Sequence, residues 1–161
     1  MNHPVYDTAE SAAPHMPEAN KAHRNALLLG YAGLIPFVTL AALVLFVDGD
    51  LQLLAGRALI AYGAVIISFL GAWHWSVAIN KGGNYASLAR MGFAVTPALL
   101  GWLAVLLPFS YGMALVITGL LMACVADGRW QTTAPAWYRR LRQRLTLVAT
   151  ASMTVAVFSQ L

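Results

Sequence analysis

Charged residues are scarce in this sequence, and their scarcity excludes an ordinary soluble domain. Of 161 residues, 10 are Lys or Arg and 6 are Asp or Glu, so charged residues make up 10% of the chain. Soluble domains contain about 25%. Hydrophobic residues instead account for 60%, and the mean hydropathy is +0.67. This composition indicates a polytopic membrane protein.

Sequence signatures of catalysis are also missing. No GxGxxG, Walker A, CxxC or HExxH pattern occurs in the sequence. The predicted spans given below contain no Asp or Glu, the residues that metal-assisted and phosphoryl-transfer chemistry needs. Cys124 is the one cysteine, so it forms no intramolecular disulfide and is expected to be a small buried apolar residue. We therefore predict a non-enzymatic protein with no cofactor and no metal.

The first 25 residues differ in composition from the rest of the chain. They mix Pro, Ala, acidic residues and three histidines without apolar periodicity, so they lack the apolar surface that would offset the entropy of ordering. His3, His15 and His23 are 12 and 8 residues apart, which matches no compact metal-ligand set. Residues 1–25 are therefore predicted to form a flexible tail.

Long apolar stretches follow, and a helix of about 20 such residues crosses a hydrocarbon core about 30 Å thick. We predict an all-α, polytopic membrane helix bundle over residues 26–161, with Asp127-Gly128 closing the fourth span as a turn. The five predicted transmembrane helices cover residues 26–47, 58–80, 86–107, 112–125 and 145–161. The alternative has four spans, with residues 145–161 packed on the bundle or lying in the interface.

Two of these spans contain a proline. Proline removes a backbone donor and bends a helix, so kinks are predicted at Pro36 and near Thr96-Pro97. A kink at Pro36 either opens a pocket or improves packing, and the packing interpretation is favoured.

The second span carries the clearest candidate for function. His74 lies between Trp73 and Trp75, and an ionisable residue inside a span is by default a functional candidate. Gly63, Gly71 and His74 share one helical face on which glycines allow close approach, so His74 is expected to face protein. It either packs against a neighbouring helix or contacts an apolar ligand for which the tryptophans supply flat walls. The candidate ligand or partner contacts are His74, Trp73, Trp75, Gly63, Gly71, Pro36 and Pro97.

A basic, aromatic segment precedes the last span. Residues 128–144 hold five of the ten basic residues, and aromatic side chains beside a cationic cluster are typical of a lipid–water interface. We predict an interfacial segment over 135–144, and no nucleic-acid binding, because no separate fold presents these charges. The residues expected to contact lipid headgroups and fix topology are Arg139, Arg140, Arg142, Arg144, Trp137 and Tyr138.

The orientation follows from the distribution of basic residues. With five spans, nine of the ten lie on one side and Arg57 alone lies on the other. The positive-inside rule then puts the amino terminus inside, in the cytoplasm, and the carboxyl terminus outside.

Four segments of the sequence together resemble a known family. They are GYAGLIPF (30–37), YGAVIISFLGAWHW (62–75), TPALLGWLAVLLP (96–108) and PAWYRRLRQRLT (135–146). Over residues 26–161 the chain resembles the transmembrane protein 69-like family of bacteria and mitochondria, domain-of-unknown-function family 3429. The resemblance implies a small multi-pass inner-membrane protein and brings no established activity. The matching positions are Gly30, Pro36, Tyr62, Gly63, Gly71, His74, Trp75, Pro97, Trp102, Pro135, Trp137 and Tyr138.

Together these observations predict a multi-pass protein of the bacterial inner membrane. Its expected role is that of a non-enzymatic accessory or assembly subunit, which contacts membrane lipids and either binds a membrane-protein partner or self-associates. The alternative is a carrier or receptor for a small apolar ligand, a quinone or a lipid, near His74.

Overall fold

The computed structural model describes residues 16–81, 87–130 and 135–160, and all regular secondary structure in these ranges is helical. The all-α prediction is therefore confirmed. The helices are α1 (Met16–Ala32), α2 (Ile35–Phe46), α3 (Asp50–Lys81), α4 (Leu88–Leu106), α5 (Phe109–Trp130) and α6 (Ala136–Phe158).

Four stretches of the described chain are long and apolar enough to cross a membrane. They are His23–Phe46, Asp50–Asn80, Leu88–Leu106 and Phe109–Arg129, and they correspond to the first four predicted spans. The prediction of a multi-pass membrane helix bundle is therefore confirmed.

Helix α6 differs from the predicted arrangement. The interfacial segment at 135–144 and the last span at 145–161 were predicted as separate elements, but one continuous helix of 23 residues covers Ala136–Phe158. Its first turns contain four arginines, which is why it is not among the four apolar stretches. The four-span and five-span arrangements differ only in this helix.

The amino-terminal helix starts earlier than the sequence predicts. Helix α1 begins at Met16, whereas the flexible tail was predicted to extend to residue 25. The segment from 16 to 25 contains Ala, Glu and Lys, which are good helix formers, and it runs directly into apolar sequence. The part of the predicted tail at residues 1–15 lies outside the described residues.

At the position of the kink predicted at Pro36, two residues, Gly33 and Leu34, interrupt the helix and separate α1 from α2. Helix α1 ends at Ala32 and α2 begins at Ile35, so Pro36 lies in the first turn of α2, where its missing N–H is tolerated. The Tyr62 hydroxyl of α3 donates a 2.9 Å hydrogen bond to the carbonyl of Gly33 in the break. By contrast, Pro97 lies inside α4, which continues on both sides of it.

Glycines bring the helix backbones close together inside the bundle. A Cβ atom at Gly71 of α3 would clash with the backbone oxygen of Ala94 on α4. A Cβ atom at Gly63 would lie 2.5 Å from Cγ1 of Val116 on α5. These two predicted contact residues therefore hold α3 against its own chain, as small residues do at membrane helix interfaces.

The turn predicted at Asp127-Gly128 is wrong. Helix α5 continues through both residues to Trp130, and Asp127 is only 6% exposed. The physical reason is that the carboxylate has partners on two neighbouring helices, so the helix extends to present it to them. The predicted absence of acidic residues from the spans fails at this position, because Phe109–Arg129 contains Asp127.

Candidate functional site

Three polar side chains from three helices meet near one end of the bundle: His74 of α3, Asp127 of α5 and Arg142 of α6. Nε2 of His74 lies 3.1 Å from Oδ1 of Asp127. Arg142 donates two hydrogen bonds to Oδ2 of the same carboxylate, from Nε at 2.8 Å and from a terminal nitrogen at 2.7 Å. One carboxylate therefore links α3 to α6, and we call these three residues the buried cluster.

Burial makes this arrangement costly to disturb. The side chains of His74 and Asp127 are 7% and 9% exposed, and that of Arg142 is 13% exposed. An ion that is removed from water loses several kcal/mol of hydration, which a close and well-oriented partner offsets. Removal of one partner would leave the other uncompensated. The cluster therefore fixes the positions of three helices relative to one another.

Aromatic rings lie beside the buried cluster on α4 and α6. The ring of Phe93 on α4 meets the His74 ring edge-on, with centroids 5.9 Å apart and planes at 83°. Burial raises the pKa of Tyr138 above its usual 10.0, so its phenol remains protonated at neutral pH. Trp137 packs edge-on against Tyr138 and also contacts the ring of His23 on α1, with ring centroids 4.2 Å apart and planes tilted by 40° in the second pair.

The structure separates the candidate residues of the second span. His74 is 8% exposed and faces the bundle, as its place on the glycine face predicts. Trp73 and Trp75 are 50% and 40% exposed, so they lie on the outer surface of α3 and do not enclose His74. Pro97 is almost fully buried and packs beside Gly71.

The four arginines of α6 also fall into two groups. Arg139, Arg140 and Arg144 are exposed, whereas Arg142 points inward to Asp127. Trp137 and Tyr138 are half-buried. Headgroup contact therefore stays a prediction for the exposed arginines, and Arg142 has a partner within the protein.

Sequence reasoning missed Asp127, although a signal was present. Asp127 follows Ala123 by four residues, so it continues the helical face formed by Val116, Gly119 and Ala123. An Asp-Gly pair is also a strong turn signal, and it favours a helix end over a continuation of this face. Arg142 was assigned to the headgroup region with its neighbours, because nothing in the sequence distinguishes it from them.

Two cavities adjoin the buried cluster. The first, the apolar groove, has a volume of about 250 Å³, and its lining includes Gly33, Leu34, Phe37, Phe69, Leu145 and Arg142. The second, the arginine pocket, has a volume of about 440 Å³, and its lining includes Asp127, Tyr138, Arg139, Arg140, Arg142 and Gln143. Arg142 lines both cavities, so it lies at the boundary between them.

A third cavity lies at the opposite end of the bundle. This opening, the Arg57 cleft, has a volume of about 790 Å³ and is lined in part by Gln52, Gly56, Arg57, Phe109, Ser110 and Gln160. Within the described residues, no three His, Cys, Asp or Glu side chains gather as metal ligands would.

Comparison with known proteins places the chain in a family. A family model described as "Protein of unknown function (DUF3429)" matches residues 22–158. The chain is 40% identical over 138 residues to Transmembrane protein 69 of Xenopus tropicalis, an alignment that covers 82% of this chain and 53% of that relative. The chain thus spans about half the length of the curated relative it matches. No solved structure matches it. The predicted resemblance is confirmed, and this chain belongs to the DUF3429 family of membrane proteins.

Proposed function

We propose that this protein binds a chain-like apolar ligand of the membrane, a lipid or a quinone, in the apolar groove, and that it acts without catalysing a reaction. The observation that carries the proposal is the groove itself, which lies among candidate spans and has Arg142 as the one charged residue among its described lining residues. An apolar cavity with a polar group at one end fits a ligand that has a hydrocarbon tail and a polar head.

The rim and floor of the groove differ in exposure. Leu29 and Phe69 are 75% and 71% exposed, whereas Phe37 and Ala149 on the floor are each 2% exposed. The groove is therefore open along the outer surface of the helices. In a bilayer this surface meets hydrocarbon, so a lipid tail enters without crossing water.

The helix break at Gly33 helps to form the groove. Gly33 and Leu34, between α1 and α2, both line it, and the Tyr62 hydroxyl satisfies the Gly33 carbonyl. An unsatisfied carbonyl facing hydrocarbon would cost several kcal/mol. The hydrogen bond therefore allows the break to border an apolar cavity.

The size of the groove limits what it holds. Its volume of about 250 Å³ is slightly below the roughly 300 Å³ at which typical small-molecule pockets begin. The groove therefore takes one segment of a chain, and the rest of the ligand lies in the surrounding lipid. His74 does not line the groove, so the proposed site lies beside Arg142 and not beside His74.

The accessory-subunit hypothesis has less support. It depended on the small-residue faces of the spans, but Gly63 and Gly71 contact Val116 and Ala94 of the same chain. An accessory role through a membrane-protein partner would have to use other surfaces. Lipid or quinone binding is therefore the favoured function.

Residence in a bacterial inner membrane with a cytoplasmic amino terminus is part of the same proposal. The supporting observation is the nine-to-one distribution of basic residues. Reporter fusions after Gln52 and Ser110 are expected to report the outer side, and one after Arg129 the cytoplasmic side. A cytoplasmic signal at Gln52 would contradict this orientation.

A filled groove tests the binding function. Leu145 is half-buried and lines the groove, whereas Leu147 on the same helix is 70% exposed and does not. Leu145→Trp is expected to reduce the lipid or quinone that remains bound after detergent purification by about tenfold, since loss of a well-fitted contact of ~1.4 kcal/mol has that effect. Leu147→Trp is expected to retain the wild-type amount. Native mass spectrometry of the purified proteins, with solvent extraction for quinones, measures both.

Two results would overturn the proposal. One is a wild-type protein that retains no lipid or quinone after mild detergent exchange. The other is equal retention by Leu145→Trp and wild type, because the added indole occupies the space that the ligand tail is proposed to fill.

A further inference from the structure

We infer that the arginine pocket binds the phosphate of an anionic glycerophospholipid whose acyl chain lies in the apolar groove. This inference rests on the proposed function and specifies its ligand class. Three features support it: the position of Arg142, the charges in the arginine pocket, and the hydrogen-bond donors there.

Arg142 establishes that the two cavities are neighbours. Of the described residues, Arg142 alone lines both cavities, and its guanidinium is held in place by two hydrogen bonds to Asp127. A molecule with its tail in the groove therefore has its head at the arginine pocket. Arg142, held by Asp127, therefore lies between the apolar groove and the arginine pocket.

The charges in the arginine pocket favour an anion. Its lining contains three arginines and one carboxylate, that of Asp127. Asp127 already receives both hydrogen bonds from Arg142. The side chains of Arg139 and Arg140 are exposed, and no ion pair is found for them among the described residues. Two positive charges are thus left to face a ligand.

The donors in the arginine pocket match phosphate chemistry. Guanidinium groups bind phosphate oxygens through paired N–H donors, with geometry that a single point charge lacks. Tyr138 supplies a protonated hydroxyl and Gln143 an amide in the same lining. Helix α6 begins beside the pocket, at Ala136, and its amino-terminal dipole adds to the favourable field.

A quinone would leave this pocket unused, because its head carries no charge. A zwitterionic phospholipid would bring a cation to two arginines for which the described part of the chain shows no ion pair. One molecule of an anionic glycerophospholipid such as phosphatidylglycerol can occupy both cavities, since its phosphodiester lies next to its acyl chains.

The test compares retained lipids after equilibration of the whole protein with equal amounts of phosphatidylglycerol and phosphatidylcholine in mixed micelles. Native mass spectrometry counts each lipid that stays bound. Wild type is expected to prefer phosphatidylglycerol. The double variant Arg139→Gln/Arg140→Gln is expected to lose about 30-fold in that preference, because each basic residue near an anionic group contributes about 1 kcal/mol, or about fivefold.

A matched control removes the same charge elsewhere. Arg24 and Arg129 are exposed and line neither cavity. Arg24→Gln/Arg129→Gln is therefore expected to keep most of the preference, which separates a specific site from general attraction to basic protein. If this control lost as much preference as the pocket variant, the inference would be wrong.

The remaining outcomes separate this inference from the proposed function. Retention of both lipids with no preference in wild type would overturn the phosphate site and leave the groove function standing. Retention of neither lipid would overturn both. In a further arm, excess inorganic phosphate is added without lipid competitors. Bound phosphatidylglycerol is expected to stay, because its acyl chain also holds it, and its displacement would assign the pocket to a free anion instead.

Discussion

The two ends of helix α3 are held to the neighbouring helices in different ways. Near its start, Arg57 is exposed in an open cleft of about 790 Å³, and Gln52 in the same cleft donates a 3.0 Å hydrogen bond to the carbonyl of Val44 on α2. The neighbouring helices are joined there by short links, residues 47–49 and 107–108. Near its end, His74 is buried in contact with Asp127, and the links that follow, residues 82–87 and 131–135, are longer. At the first end, links of two or three residues and the Gln52 hydrogen bond join the helices. At the second end, the buried Asp127 carboxylate joins α3, α5 and α6 through His74 and Arg142.

This comparison predicts that the largest loss of stability follows removal of the Asp127 carboxylate. Asp127→Asn leaves the largely buried Arg142 without its anion, and breaking a buried pair in this way costs about 3–5 kcal/mol in the free energy of unfolding. Detergent-mediated unfolding followed by circular dichroism measures the change. The matched control is Asp48→Asn in the exposed link at the other end, for which a change within about 0.5 kcal/mol is expected. Similar losses in the free energy of unfolding for the two variants would show that carboxylates contribute equally to stability at both ends of α3.

Close packing of helix backbones is expected to contribute equally to the free energy of unfolding at both ends. A Cβ at Gly71 meets the carbonyl oxygen of Ala94, and one at Gly112 meets that of Ala104, so each alanine substitution is expected to cost about 1–3 kcal/mol through overpacking. Gly92 on α4 has no atom within 4 Å of a built Cβ, so Gly92→Ala is expected to stabilise the helix by about 0.5–1 kcal/mol. The same unfolding assay reports all three. Loss of stability in Gly92→Ala, or none in Gly71→Ala, would contradict the packing described.

A smaller effect is expected midway between the ends. Tyr62→Phe removes the hydrogen bond to Gly33 at the helix break, and loss of one such bond costs about 1 kcal/mol. Tyr111 is 68% exposed, so Tyr111→Phe serves as the control and should change little. Hydrogen exchange of the amides around the break provides a local readout, with faster exchange expected in Tyr62→Phe alone.

The smallest effect is expected at the open end. Arg57 lines the cleft without an ion-pair partner among the described residues, so Arg57→Gln is expected to change the free energy of unfolding by less than about 0.5 kcal/mol. A loss comparable to that of Asp127→Asn would mean that Arg57 makes a stabilising interaction as strong as that of the buried carboxylate.

Much of the fold follows from sequence because a bilayer restricts what a chain can do. Apolar length predicts the first four spans, and Pro36 predicts a distortion of the first one, which the structure shows as an interruption between α1 and α2. The glycine face predicts that His74 is turned inward. These features depend on spacing along one helix, which the sequence records directly.

The candidate site is less accessible to such reasoning because it depends on pairing between distant residues. His74 was recognised from its own segment, but Asp127 and Arg142 are partners only after α5 and α6 pack against α3. The Asp-Gly turn signal is a local preference of about 1 kcal/mol, whereas an uncompensated buried arginine costs several. Tertiary contact therefore overrides the turn, and the cavities on either side of Arg142 could not be predicted before that contact was known.

The central claim is that Asp127 and Arg142 act as one unit. This unit joins α5 to α6 at the end of the bundle that contains His74, and it fixes the position of Arg142 between the apolar groove and the arginine pocket. A double-mutant cycle with Asp127→Asn, Arg142→Gln and the combined variant tests it most directly, through the free energy of unfolding in mixed micelles. The account predicts a coupling energy of about 2–3 kcal/mol, with the double variant less destabilised than the sum of the single changes. Effects that add to within about 0.5 kcal/mol would contradict it.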